Sequence, residues 1–65
     1  MPMIQIDLGS ATKEKKKELI ETFTKEASRI LGFKESDFVM VVRESPLDNW
    51  GVGGKQLSEV IKKES

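Results

Sequence analysis

No cysteine and no histidine occur among the 65 residues. Without cysteine there are no disulfides, and with histidine missing too a structural zinc site loses its usual ligands. Ser-His-Asp and Cys-His arrangements for nucleophilic catalysis are excluded on the same ground. An excess of one charge is also absent: eleven basic and eleven acidic residues cancel. No net field therefore draws in nucleic acid or an anionic membrane. No apolar run approaches the roughly 18 residues that a bilayer span requires. Residues 1–8 alternate in polarity, unlike the basic start and continuous apolar block of a signal peptide. No metal, cofactor, nucleic-acid or membrane partner is expected, and the cytoplasm is the expected compartment.

A domain this small buries only about 60% of the surface its unfolded chain exposes. Disulfides, a structural metal or association with other chains are the usual remedies. The first two are excluded, so residues 1–65, read as one domain, are expected to form a homo-oligomer.

Periodicity supplies the elements. Ile4, Ile6 and Leu8 alternate with Met3, Gln5 and Asp7, the period-two pattern of a strand over Met3–Leu8. Thr12 is placed to cap a helix, with Glu14 in its first turn; Lys15 stands where a capping box would need Glu or Gln. Leu19, Ile20, Phe23, Ala27, Ile30 and Leu31 make one apolar stripe along a helix of about five turns. Glu21 and Lys25 are spaced for an ion pair on its wet side, and Gly32 is placed to end the helix in a left-handed conformation. A second strand is expected over Phe38–Glu44, its continuous apolar run implying burial on both faces. Strand, long helix and strand read as a parallel βαβ unit. Residues 45–55 hold six turn-forming residues and are expected to make a hairpin-like excursion. Leu57, Val60 and Ile61 have helical spacing in a segment too short to be stable alone, so it is expected to pack on a neighbour.

Few residues could carry chemistry. Asp7, Asp37, Glu44, Asp48 and Glu59 form no recognisable catalytic pair and read as surface carboxylates. Gly51-Val52-Gly53-Gly54-Lys55 lacks the spacing of a phosphate loop, with Gln56 where Ser or Thr would hold magnesium, and reads as a tight turn. Lys15-Lys16-Lys17 reads as a solvated helix face. Pro2 differs from all of these. Removal of Met1 would turn its amide nitrogen into a secondary amine, a base of fixed direction. Apolar surroundings disfavour the ammonium form and lower its pKa toward working pH, which suits proton transfer beside a carbonyl.

The order Met1-Pro2, strand, long helix, strand and then Asn49-Trp50-Gly51-Val52-Gly53-Gly54 is similar to the 4-oxalocrotonate tautomerase family over nearly the whole chain. The resemblance implies an α+β fold: a β-α-β subunit with parallel strands and a C-terminal hairpin. It also implies a hexamer, a trimer of dimers, with sites between subunits. Pro2 would be the catalytic base and Trp50 a wall of the apolar pocket around it; core or interface packing is the other reading of Trp50. The family's carboxylate-holding arginines would fall near Ala11 and Val39, where this chain has none. Arg43 shares a strand face with Val39, about 13 Å further along at roughly 3.3 Å per residue. It either binds substrate at a site formed with another subunit or pairs with Glu44 or another acid. The implied function is a tautomerase moving a proton in an enol or dienol of a small 2-oxo acid. The alternative is a non-catalytic ligand-binding or structural relative of the same fold.

Overall fold

The structure is a computed structural model that describes residues 1–64, with side chains to Ile61; Ser65, the end of the expected domain, lies outside the described residues. Strand β1 spans Met3–Leu8, helix α1 Lys13–Leu31 and strand β2 Val39–Glu44. Short strands β3, Gly51–Val52, and β4, Lys55–Gln56, precede helix α2, Leu57–Glu64. Single 3-10 turns at Glu35–Asp37 and Leu47–Asn49 stand before β2 and β3.

The boundaries of α1 follow from its end residues. Thr12 is extended, and its hydroxyl accepts the Lys15 N–H at 3.2 Å, a cap worth about 1 kcal/mol. At the other end Gly32 turns left-handed at φ 78° and donates its N–H to the Ser28 carbonyl at 2.9 Å. A residue with a Cβ would be strained there.

β1 and β2 pair in parallel, with register from Met3 opposite Val39 to Leu8 opposite Glu44. The expected βαβ unit is therefore present. β2 begins one residue later than its apolar run, because the Phe38 N–H still closes the preceding turn onto the Glu35 carbonyl. Glu44 reaches α1 through Lys16. By alternation Met40 and Val42 share its face, opposite Ile4 and Ile6 respectively, and all four are half-buried.

On the other sheet face Met3, Gln5, Asp7, Val39 and Arg43 are exposed and Val41 is half-buried. Val39 is exposed, so the second face of β2 is not buried within the chain as its apolar run predicts. Of the expected stripe on α1, Leu19 and Ala27 are half-buried, whereas Ile20, Phe23, Ile30 and Leu31 are exposed. No described residue is fully buried. The accessible surface is 5315 Å², against about 4,200 Å² for a folded monomer of this mass. The radius of gyration is 15.3 Å, against about 11 Å for a compact domain of this length. These apolar residues lack partners in their own chain.

Residues 45–56 form the hairpin in a tighter version than the sequence suggests. β3 and β4 are antiparallel and joined by Gly53-Gly54, both at positive φ (60° and 81°), the requirement of a type I′ turn. Helix α2, expected to pack on a neighbour, is anchored on its own chain. The Leu57 N–H donates to the Trp50 carbonyl, the Gln56 amide to the Asp48 carbonyl, and the Ser58 hydroxyl to the Asp48 carboxylate. On α1, Glu21 lies 4.0 Å from Lys17, the turn before, and not in the expected pair with Lys25. Both partners are exposed, and such pairs contribute little. Among the described residues no helix is long and apolar enough to cross a membrane.

Candidate functional site

Pro2 stands at the head of β1, half-buried, and its carbonyl accepts the Val39 N–H at 3.0 Å. This first rung of the parallel ladder leaves the ring little freedom. A pocket of about 540 Å³ opens beside it, lined by Met1, Pro2, Phe33, Ser36 and Asp37. With Met1 attached the Pro2 nitrogen is an amide; Met1 itself is 94% exposed.

Of these pocket residues the sequence pattern singles out neither Phe33 nor Ser36, and Asp37 reads from it only as a surface carboxylate. The signal was present in the topology. In a parallel pair of equal strands, whatever precedes β2 must lie beside whatever precedes β1. Local bonds hold these residues in place. The Ser28 hydroxyl donates to the Phe33 carbonyl, and the Asp37 N–H closes onto Lys34 at 2.9 Å.

The other candidates lie at the opposite end. Arg43 faces Asp7 across the ladder and forks onto it, with Nε 3.0 Å from Oδ1 and Nη2 3.2 Å from Oδ2. Its acid partner is thus Asp7 and not the neighbouring Glu44. Three of the five guanidinium N–H donors are left over by this fork. Glu44 instead accepts from the Lys16 ammonium and, at 3.1 Å, from the Ala11 N–H. The Lys16 bond first, then the Ala11 bond, hold its carboxyl below its ordinary pKa, against a smaller opposing effect of desolvation. Lys16 is therefore a tie between α1 and β2, while Lys15 and Lys17 are exposed as the charge run suggests.

Trp50 is half-buried, with its indole N–H 3.0 Å from the Ser45 carbonyl. The Ser45 N–H in turn donates to Leu8 at the far end of β1. From Pro2 to Leu8 is six strand residues, about 20 Å at 3.3 Å each. Within one chain Trp50 and Arg43 therefore do not share the pocket of Pro2. Among the described residues no three candidate metal ligands converge.

The model of the family described as tautomerase enzymes matches residues 2–60. A probable tautomerase of Dickeya dadantii is 34% identical over 61 residues, 91% of each chain. One of Bacillus cereus is 35% identical over 60 residues, 91% of this chain and 98% of its own. Among solved structures, TomN, a 4-oxalocrotonate tautomerase homologue in the tomaymycin biosynthetic pathway, superposes with a TM-score of 0.91 at 28% identity. That match covers 98% of this chain and all of TomN. DmpI from Helicobacter pylori gives 0.82 at 27% identity, over 89% of this chain and 98% of its own.

Proposed function

We propose, because the chain belongs to the tautomerase family, that it moves a proton within an enol or dienol of a small 2-oxo acid, with Pro2 as base. The observation carrying this reading is the placement of Pro2, pinned by the Val39 amide at the mouth of a pocket. Removal of Met1 frees a secondary amine there, whose charged form the Phe33 ring disfavours and the Asp37 carboxylate favours. The amine takes the enol proton. The O–H electron pair becomes the carbonyl π bond, the carbon–carbon π electrons shift outward, and the ammonium returns the proton to carbon. Donor and acceptor positions lie on one substrate, so a single base serves both steps.

Trp50 and Arg43 enter this reading from another chain, because each lies about a strand's length from its own Pro2. Trp50 would close the apolar wall. The spare donors of Arg43 would hold the substrate carboxylate, a charge-assisted contact. A hexamer of three dimers supplies such neighbours, and the unburied apolar faces support assembly of some kind. The same reading places the enzyme in the cytoplasm. A non-catalytic ligand-binding relative is the second reading, favoured by Ala11 and Val39 at positions where the resemblance leads one to look for arginine.

The test compares processed protein with protein retaining Met1, both shown folded, on an enolised 2-oxo acid followed by ultraviolet absorbance. The processed form should be active, with a rate that rises with pH as the ammonium deprotonates. The retained form should show none. Equal rates would remove Pro2 from the mechanism.

A further inference from the structure

The pocket beside Pro2 contains one ionisable side chain, Asp37, and no Lys or Arg. Three consecutive bonds hold the Asp37 backbone relative to the proline: Asp37 N–H to Lys34, Phe38 N–H to Glu35 and Val39 N–H to Pro2. The chain's two arginines lie outside the pocket: Arg29 pairs with Glu26 on α1, and Arg43, forked onto Asp7 at the far end of the sheet, would enter only from another chain, where the first carboxylate takes its spare donors. Charged neighbours of the pocket in sequence are Lys34 and Glu35; β1 and β2 carry charge only at their other ends, in Asp7, Arg43 and Glu44. Phe33, 52% exposed, adds an apolar surface to the same pocket.

We infer that Asp37 and Phe33 set the substrate class of this site: a 2-oxo acid with one carboxylate and an apolar tail, a second carboxylate at the tail being excluded. The inference rests on the reading of Pro2 as the site. A tail carboxylate entering this pocket would meet Asp37 as a like charge, with no Lys or Arg among the lining side chains to offset it, while losing part of its hydration. An apolar tail gains contact area on the Phe33 ring and leaves Asp37 solvated. The selection acts by repulsion of the wrong partner as much as by attraction of the right one.

The experiment uses processed, assembled protein and the Asp37→Asn variant. Two enolised 2-oxo acids of equal length, one with an apolar tail and one ending in a carboxylate, are compared by kcat/KM. Binding of matching saturated mono- and dicarboxylates is measured separately by calorimetry. The native protein should bind the monocarboxylate roughly tenfold more tightly, a gap that narrows as salt screens Asp37. In Asp37→Asn the gap should fall to about twofold, through tighter binding of the dicarboxylate alone. Equal binding of the two by the native protein, no binding of either, or an equal shift of both in the variant would overturn the inference. A binding preference without turnover of either enol would instead defeat the catalytic reading and leave the specificity standing.

Discussion

The two ends of the β1–β2 pair carry opposite kinds of chemistry. At the start of the strands Pro2, Phe33, Ser36 and Asp37 surround a pocket without a cation. At their finish Arg43 forks onto Asp7, Lys16 and the Ala11 amide hold Glu44, and Trp50 bonds to Ser45. One end carries the proposed base and an apolar ring; the other carries the Arg43 guanidinium and the chain's one tryptophan. About 20 Å of strand separates them. The comparison teaches that, under the proposed function, a complete site would need the start of one chain beside the finish of another. Association would then do two jobs: cover apolar surface that the chain leaves exposed, and bring the proposed base and binding groups together.

The sharpest way to break this comparison is to damage the two ends in different chains. Protein retaining Met1 and the Trp50→Ala variant should each lose most activity. Refolded together, they should regain about a quarter of native activity, because random mixing pairs an intact Pro2 with an intact Trp50 at that fraction of shared sites. No gain on mixing would show that each Pro2 depends on its own Trp50. A smaller effect is expected from Arg43→Ala. KM for a carboxylate substrate should rise roughly tenfold with little change for a neutral analogue. Stability should change by no more than about 1 kcal/mol, since the Asp7 pair is more than half exposed. Equal effects on both substrates would confine Arg43 to pairing with Asp7.

The smallest effect concerns the tie between α1 and β2. The Glu44 carboxyl is held below its ordinary pKa by Lys16 and the Ala11 amide. Its contribution is therefore present above the unfolded value of about 4.3 and fades as pH falls through the lower folded value. Glu44→Gln should lower Tm slightly near neutral pH, and the difference from the native protein should vanish in acid. A difference that persists in acid would assign the loss to packing instead of charge.

Much of the subunit was legible because local chemistry decides it. Alternation fixes β1, the Thr12 hydroxyl and Gly32 bound α1, and two glycines at positive φ make the Gly53-Gly54 turn. What was not legible depends on partners outside the local pattern. The apolar run of β2 predicts cover on both faces, yet among the described residues Val39 is left exposed. Ile30 and Leu31 carry the helical stripe past the end of the sheet into solvent. The anchoring of α2 escaped notice because it rests on Asp48, an ordinary turn residue whose backbone and carboxylate are both used. Of the site, Pro2 was readable from its position after Met1. The pocket beside it was not, since Phe33, Ser36 and Asp37 reach Pro2 through strand register and not through any spacing along the chain.

The bond from the Val39 amide to the Pro2 carbonyl has a meaning beyond the ladder it begins. A catalytic lysine or glutamate hangs on several rotatable bonds and must be found in the right rotamer. The proposed base here has no side-chain torsion to search: its ring is part of the main chain, and its aim is that of the strand itself. Little conformational entropy is then left to lose when a substrate arrives. The cost is that fraying, harmless at most chain ends, becomes an event in the reaction coordinate. Each opening of that one rung is an interval in which the enzyme has mislaid its base.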